Sequence, residues 1–552
     1  EILAGTVNIG NSANNNNNDI EYFATGTPEL DLQGTGSLNV NGQIRRSASI
    51  VTGVLSYKQS GTSAVLIRGR NHLATRAKLE VANTGSIFNM SGTSTLIIQS
   101  GNGTTYFDLY LYPTSSTVTG GTITMGNAST AASQTFKLST TTSLYSLALN
   151  TTNSPTTQLI SFGLTLKGSL TIQAGAIFNA NSLDVNIAGD FTNSNTTAAT
   201  SVTTGGYQPG ITTQTTTFNG SSNNQTLTGT AANRTHFGNL VINNSFGTVT
   251  LAANTAATVN ETFTLTRGTL ADGGNTIIAL GNVSNSATHT GAGSITVGAG
   301  GATSHNITGN GSGIFGNLTL NSTNGVNLTA NTTVNGVLTF SAVGLFYIDN
   351  KLLRLGVSAT ISGAGSTKYI KTNGTLADAG VIKTYPTGAL DFTFTIGVAG
   401  KYTPVRYNVT ANTDAAGGTI TIKPVNTKHP TTTDASNLEL AYYWNVVSTG
   451  FATGLSVTHV YNYINSDVNG TEASYVAGRY YSGGWNSVPE ASTSVTPASD
   501  YFTFTSKNYI TGDYTTGESS EFQTIRTFYS LTSGNWDNPG ANVWSYSSGG
   551  AA

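Results

Sequence analysis

The chain has 552 residues and a formal net charge of −2 at neutral pH. Only 9% of the residues are charged, against about 25% in an ordinary soluble domain, and cysteine is absent. This balance excludes the basic footprint of a nucleic-acid-binding protein. No run of 18 apolar residues occurs either, so the sequence predicts no membrane span.

Threonine, serine, asparagine and glycine take the place of the missing charges. Helix surfaces normally use Glu, Lys, Arg and Ala, whereas Thr and Val favour strands and Gly and Asn supply turns. We therefore predict a nearly all-β protein with an extracellular location. The opening stretch EILAGTVNIG lacks the basic and apolar regions of a signal peptide, so we expect a removed signal or a segment of a longer protein.

A motif recurs three times along the first part of the chain. It reads ASQTFKLSTTTSLYSLALN at 132–150, FNGSSNNQTLTGTAANRTHFGNLVIN at 218–243 and TSHNITGNGSGIFGNLTLN at 303–321. Tyr145, Phe237 and Phe315 are predicted to occupy equivalent places in the three copies. Repetition of this kind is typical of stacked units that cannot bury an apolar face alone.

Short runs of alternating apolar and polar residues surround these copies, separated by Gly, Asn or Ser. Alternation indicates strands with one buried face and one wet face. Antiparallel sandwiches and a solenoid of stacked coils both fit, but Asn-Gly hairpin signals are few and Gly and Asn can turn coil corners. We therefore predict a parallel β-helix (β-solenoid) rod over residues 1–385, with coils of about 20–25 residues.

Composition changes near residue 386. All four tryptophans lie beyond residue 440, and longer alternating strands such as DFTFTIG, TPVRYNVT and YFTFTS appear. About seven such strands in 130 residues predict a β-sandwich over 386–520. Residues 521–552 are predicted to begin a further repeat unit.

The stretch STKYIKTNGTLADAGVIKTYPTGALDFTFTIGVAGKYTPVRYNVT (366–410) resembles a module of large secreted proteins of Bacteroidetes. Phe394–Gly397 and Tyr402–Val405 match that module, and TFYSLTSGNWDNPGANVWS (527–545) resembles the opening of another unit. The resemblance implies export by the type IX secretion system and a surface or adhesin-like role in gliding or biofilm formation. Since a new unit opens at the end, we expect this chain to be a segment of something longer.

The residues that carry chemistry are sparse. The histidines are His72, His236, His289, His305, His429 and His459. None has a metal-ligand spacing, so we interpret them as coil-surface or turn residues. LADGGNT (270–276) and DAAGG (414–418) resemble calcium-binding turns, but each contains one Asp where such sites need six to eight oxygens. We predict no catalytic residue, cofactor or metal ligand.

Two alternatives keep other functions open. Parallel β-helices include polysaccharide lyases and hydrolases, which require two carboxylates roughly 5–10 Å apart. The densest ionic stretch, from Asp349 to Asp391, could line such a groove. Aromatic residues of the sandwich could instead stack on sugar rings, as in a carbohydrate-binding module. The candidate carbohydrate contacts are Tyr442, Tyr443, Trp444, Tyr480, Tyr481 and Trp485.

The sequence thus favours a structural or adhesive cell-surface protein with no active site. Its expected partners are a surface polysaccharide, or a host or substratum surface, and the secretion machinery during export. Acids facing one cleft on adjacent coils would favour the enzyme alternative. Exposed, coplanar Tyr and Trp rings would favour the carbohydrate-binding alternative.

Overall fold

The computed structural model describes residues 1–11, 18–23, 26–49, 52–70, 73–101, 106–150, 153–230, 234–432, 437–486, 488–522, 529–530 and 544–545. Within these ranges the chain forms strands and four 3-10 helices, at Asn465–Asp467, Glu472–Ser474, Pro497–Ser499 and Ser519–Phe522, and contains no α-helix. The prediction of an all-β protein is confirmed. Internal contacts define unit 1 (Glu1–Tyr347 and Leu353–Lys368) and unit 2 (Ile348–Leu352 and Tyr369–Ala552).

Unit 1 is a parallel β-solenoid of about 15 turns, as predicted. Each turn visits three sheets, A, B and C, in that order. Thr156–Leu159, Leu164–Leu166 and Leu170–Ile172 form one such turn. Every ladder in these sheets is parallel, for example Leu164–Leu166 on Val185–Ile187 and Leu170–Ile172 on Phe191–Asn193. A hairpin-linked antiparallel arrangement of this region is therefore excluded.

Sheet A comprises Ile20–Tyr22, Ile44–Arg46, the first halves of Leu79–Met90 and Leu109–Val118, Thr135–Thr140, Thr156–Leu159, Ile177–Asn179 and Tyr207–Gln208, followed by Thr235–Phe237, Ala257–Val259, Thr276–Ala279, Ser294–Val297, Leu318–Leu320, Val337–Phe340 and Thr360–Ser362. Sheet B comprises Glu29–Leu32, Ser56–Gln59, the second halves of Leu79–Met90 and Leu109–Val118, Leu164–Leu166, Val185–Ile187, Thr215–Phe218, the first halves of Asn239–Leu251 and Phe263–Ala271, Val283–Asn285, His305–Thr308, Val326–Leu328 and Phe346–Asp349. Sheet C comprises Thr6–Ile9, Ser37–Val40, Ala64–Ile67, Thr95–Ile98, Thr122–Met125, Ser146–Leu149, Leu170–Ile172, Phe191–Asn193, Gln225–Thr228, the second halves of Asn239–Leu251 and Phe263–Ala271, Thr288–Thr290, Ile314–Phe315, Thr332–Val334 and Leu352–Leu355.

The turns are not of one length. Thr6 aligns with Ser37, so the first turn takes 31 residues, whereas Leu170 aligns with Phe191 after only 21. The predicted 20–25 residues fit turns such as the one from Leu170 to Phe191, but they are too few at the start and for the following turn, in which Leu227 aligns with Phe191 after 36 residues. The extra residues of the early turns form longer connections between strands, and charged side chains on sheet A there are buried.

The core of unit 1 is a set of aligned apolar ladders. One of them runs along sheet C through Leu38, Val65, Leu96, Ile123, Leu147, Leu170, Phe191 and Leu227. Each of these side chains is at most 1% exposed. Outward positions carry neutral ladders, such as Asn39 Nδ2 donating to Asn8 Oδ1 at 2.9 Å. Low charge follows from this geometry, because like charges stacked in register repel each other.

The repeated motif occupies all three corners of the coil, which corrects the prediction of equivalent places. Tyr145 lies at the corner between sheets B and C, Phe237 at the end of a sheet A strand before sheet B, and Phe315 at the end of a sheet C strand before sheet A. Phe237 and Phe315 have no exposed surface, whereas Tyr145 is 38% exposed. The motif therefore encodes a corner and does not specify which sheet it follows.

An asparagine explains how two of the three copies fit different corners. Asn239 Nδ2 donates to the Thr213 carbonyl of the preceding turn at 2.9 Å, and its Oδ1 accepts from Thr262 N–H of the following turn at 3.0 Å. Asn317 repeats this pattern with the Gly293 carbonyl at 2.7 Å and Val337 N–H at 2.7 Å. At both corners one amide thus joins three successive turns through their main-chain groups.

Unit 2 contains mainly antiparallel sheets arranged as a sandwich, as predicted for the C-terminal part of the fold; the ladder between Ile370–Thr372 and Ile396–Val398 is parallel. One sheet comprises Leu390–Phe394, Val405–Ala411, Ser456–Asn462, Tyr501–Lys507 and Thr493–Thr496. The other includes Ile370–Thr372, Gly380–Tyr385, Ile396–Val398, Lys401–Tyr402, Gly418–Val425, Tyr443–Gly450, Tyr475–Tyr481, Gly484–Trp485 and Gly512–Glu518. Aromatic rings fill the space between them: Trp444 lies 5.4 Å from Tyr461, and Tyr461 lies 4.8 Å from Tyr514.

The domain ranges 1–385, 386–520 and 521–552 stay a prediction. Within the last range, Tyr529–Ser530 pairs antiparallel with Trp544–Ser545. Most of the stretch that resembles the opening of a new unit lies outside the described residues.

Candidate functional site

The six predicted carbohydrate contacts divide by exposure. Tyr442 and Trp444 have no exposed surface, and Tyr443 and Trp485 are only 4% and 8% exposed. Tyr480 is half-buried, and Tyr481 is 49% exposed. A sugar can stack only on a ring whose face reaches solvent, so Tyr481 is the residue of this set best placed for such a contact.

Three of the buried or half-buried rings surround His429. Its imidazole lies 4.8 Å from the ring of Tyr443, and 4.9 Å from the rings of both Tyr480 and Trp485. His429 Nε2 is 3.0 Å from Asp513 Oδ2, and its Nδ1 is 2.9 Å from the Thr431 hydroxyl. Both ring nitrogens therefore have partners, and these aromatic residues build a local core around a hydrogen-bonded histidine.

Tyr481 stands at the rim of an open depression in unit 2 with a volume of about 310 Å³. Its lining residues are Ser448, Gly450, Phe451, Leu455, Arg479, Tyr481, Asn508, Tyr509, Ile510 and Thr511. The size lies at the lower end of the usual range for small-ligand sites. Apolar side chains, hydroxyl groups, an amide and a guanidinium all face this one space.

The guanidinium of Arg479 is fixed between two tyrosine rings. Its Cζ lies 3.8 Å from the ring centroid of Tyr509 and 4.5 Å from that of Tyr481. Nε and Nη2 both donate to the Thr511 carbonyl, at 3.0 and 2.6 Å. Because Arg479 and Tyr481 are two residues apart on strand Tyr475–Tyr481, they project on the same side of it.

The charged side chains beside the depression are two cations and one anion. Lys507 Nζ lies 2.9 Å from Glu490 Oε1, and the same carboxylate accepts the Tyr509 hydroxyl at 2.6 Å. Burial, together with Arg479 and Lys507, holds the pKa of His459 well below its usual value, so that histidine is neutral. The three charged side chains Arg479, Lys507 and Glu490 leave one net positive charge beside the depression.

A second group of charged residues lies on sheet A of unit 1 and was not predicted from the sequence. Glu80 has no exposed surface and accepts from Arg46 Nη2 at 2.6 Å, from Arg46 N–H at 3.1 Å and from Arg76 Nη1 at 3.5 Å. Arg45 pairs with Asp19 at 2.7 Å and with Glu21 at 3.3 Å. Glu21 and Glu80 lie two turns apart, with the Ile44–Arg46 strand between them; Glu80 is enclosed, and Asp19 and Glu21 are held by the Arg45 guanidinium.

An aromatic column lies beside this ionic group. It consists of Tyr106, Phe107, Tyr110, Tyr112 and Phe162. Phe107 and Tyr110 stack at 4.9 Å and 7°, and Tyr110 and Tyr112 at 4.4 Å and 29°. The outward alternation in YFDLYLY was the available sequence signal. Since the rings cover each other's faces, the column offers mainly ring edges to solvent.

The remaining candidates have structural roles. Asp272 of LADGGNT accepts from Gly274 N–H, Gly293 N–H and His289, and Asp414 of DAAGG accepts from Ala416 N–H. The histidines at 236, 289, 305, 429 and 459 are all at most 8% exposed, which corrects the interpretation as surface residues; His72 lies outside the described residues. In the part of the chain that the structure describes, no three His, Cys, Asp or Glu side chains are grouped to hold a metal ion.

Comparison of the chain with known protein-family models, curated proteins and solved structures gives no match. In the described ranges, no helix has the length and apolarity needed to cross a membrane.

Proposed function

We propose that the chain is a structural and adhesive protein of the cell surface, a segment of a longer secreted repeat protein. The observation that carries this proposal is the continuous solenoid of about 15 turns whose outward ladders are neutral. Main-chain pairing between turns gives a stiff support that needs few charges. The resemblance of residues 366–410 and 527–545 to secreted Bacteroidetes modules supports export by the type IX system.

The proposal is tested on cells that produce the native protein. Antibodies against the chain should label intact cells, and deletion of the coding region should reduce attachment to polysaccharide-coated surfaces. Loss of labelling on intact cells, with labelling only after lysis, would contradict the surface location. Unchanged attachment of the deletion strain would contradict the adhesive role.

A carbohydrate-binding module in unit 2 is a second candidate, favoured by the exposed ring of Tyr481 above the depression. An aromatic face of this kind is apolar with a polar rim and matches the two-sided chemistry of a sugar ring. Binding of oligosaccharides to the purified chain, measured by calorimetry, tests it. Absence of binding across neutral and acidic oligosaccharides would remove this candidate.

The proposal assigns no catalysis to the chain. A lyase or hydrolase would need two carboxylates that reach the substrate. Incubation of the chain with polysaccharides, followed by chromatography of the products, should show no shortening. Appearance of oligosaccharides that depends on Glu21 or Asp19 would replace the structural function with the enzyme alternative.

A further inference from the structure

The Arg479 guanidinium is a buried cation with no carboxylate partner in the part of the chain that the structure describes. The residue is only 6% exposed. Among the described residues, the ion pairs of unit 2 use other cations, and no carboxylate lies within 4 Å of this guanidinium. Removing a charge from water is costly unless an opposite charge or hydrogen bonds compensate. A buried guanidinium without a carboxylate partner therefore favours the binding of an anion from outside the chain.

The hydrogen bonds of Arg479 leave donors unused. A guanidinium has five N–H donors in a fixed fork. The Thr511 carbonyl takes two of them. Since Arg479 also lines the depression, its remaining donors are available to an acceptor there. The fork geometry matches the two oxygens of a carboxylate better than a single oxygen.

The surroundings of the guanidinium suit a sugar that carries this carboxylate. Tyr481 contributes a half-exposed ring at the rim. Ser448 and Thr511, whose hydroxyl oxygens are 2.8 Å apart, and the Asn508 amide contribute polar groups. The nearby carboxylate, Glu490, is already engaged by Lys507 and Tyr509, so it does not oppose an incoming anion.

We propose that the depression binds a carboxylated sugar unit of an acidic polysaccharide, with Arg479 on the carboxylate and Tyr481 against the sugar ring. The inference deepens the proposed adhesive function by naming a ligand class. Binding of a soluble oligomer does not require a surface location, so the two proposals fail separately. A uronate-binding chain that does not label intact cells would contradict only the proposed function.

The experiment uses the full chain and three probes in calorimetry: an oligogalacturonate, its carboxyl-reduced neutral form, and a sulfated galactan oligomer of equal length. We expect the oligogalacturonate to bind best, with affinity that falls as salt rises. Arg479→Gln should weaken it about ten- to hundredfold, because hydrogen bonds to a charged partner are lost. Arg479→Lys should recover part of the loss, since it restores charge without the fork.

Tyr481→Ala covers the case in which Arg479 variants fail to fold, because Tyr481 is at the rim and 49% exposed. It should weaken oligogalacturonate binding about tenfold and leave the melting temperature unchanged. Tyr145→Ala, at an exposed tyrosine of the solenoid, serves as the matched control and should bind like the wild type. Equal binding of the neutral or the sulfated probe, or unchanged binding by Tyr481→Ala, would overturn the proposal.

Discussion

His289 Nε2 lies 3.0 Å from Asp272 Oδ2, and neither side chain has any exposed surface. His289 Nδ1 accepts from Gly316 N–H at 3.2 Å, which assigns the Nε2 proton to the bond with Asp272. The pair therefore links three successive turns of the solenoid through a neutral imidazole. Its geometry leaves no ring nitrogen for catalysis, so its effect is on stability.

Stability should fall with acid, in part through His289. Burial lowers the pKa of His289 below 6.5, although Asp272 opposes the shift. A lowered folded-state pKa means that the unfolded chain takes up the proton first, so the contribution is complete above about pH 6.5 and is lost as pH falls toward the folded-state pKa. Thermal unfolding between pH 8 and pH 5 measures this loss.

The variant His289→Gln isolates this contribution, because burial also lowers the pKa of His236, His305 and His459. We expect it to lose about 1–3 kcal/mol at pH 8, since hydrogen bonds between turns are broken. Its dependence on pH between 6.5 and 5 should be shallower than that of the wild type. An identical slope would contradict a neutral, buried His289.

The asparagine of the repeated corner should be important in both of its copies. Asn239→Ala and Asn317→Ala each remove a donor and an acceptor that join three turns. We expect each to cost about 1–3 kcal/mol in urea unfolding, because main-chain groups lose their partners. Asn150→Ala, at an exposed asparagine directly after strand Ser146–Leu149, is the control, and a cost equal to it would contradict the proposed role.

The aromatic residue that precedes this corner should behave differently in the three copies. Phe237→Ala and Phe315→Ala empty fully buried positions and should cost about 3–5 kcal/mol. Tyr145→Ala removes a ring that is 38% exposed and should cost far less. Equal losses in all three, measured by urea unfolding, would contradict the difference in burial between the two phenylalanines and Tyr145.

The ionic group on sheet A should be sensitive to the loss of one carboxylate. Glu80→Ala leaves Arg46 and Arg76 without their buried partner and should cost about 3–5 kcal/mol. Glu29→Ala provides the matched control, because Glu29 forms an exposed pair with Lys58 on a neighbouring strand. That change should have little effect on the free energy of unfolding, because solvent screens an exposed pair. Similar losses from the two variants would contradict the buried role of Glu80.

The β-solenoid could be predicted from the sequence because the alternation of apolar and polar residues and the pairing of like residues both depend on short segments. A residue such as Leu96 needs an apolar neighbour above and below, and Val65 and Ile123 provide it in register. The sequence did not predict which sheet each copy of the motif follows. Phe237 and Phe315 stand before the same Gly-Asn pair, and corner chemistry does not distinguish the faces it connects.

The site was only partly readable for a different reason. The sequence indicated Tyr481 together with Trp444, although cross-sheet packing covers Trp444 with Tyr461 and Phe502 and leaves Tyr481 at an edge. Arg479 gave no signal of its own, because the absence of a carboxylate beside it, among the described residues, is a property of the folded unit. Exposure and pairing depend on distant segments, which local patterns do not report.

The repeated motif occurs at all three kinds of corner, and this has a consequence for how the coding sequence can be duplicated. Phe237 and Phe315 are 78 residues apart, yet they end strands of different sheets. A duplicated segment need not span a whole number of solenoid turns, since a copy that begins one sheet later still meets a corner that the motif fits. Recombination can thus lengthen the protein by one strand and its corner at a time, and the fold tolerates copies that lie on different sheets.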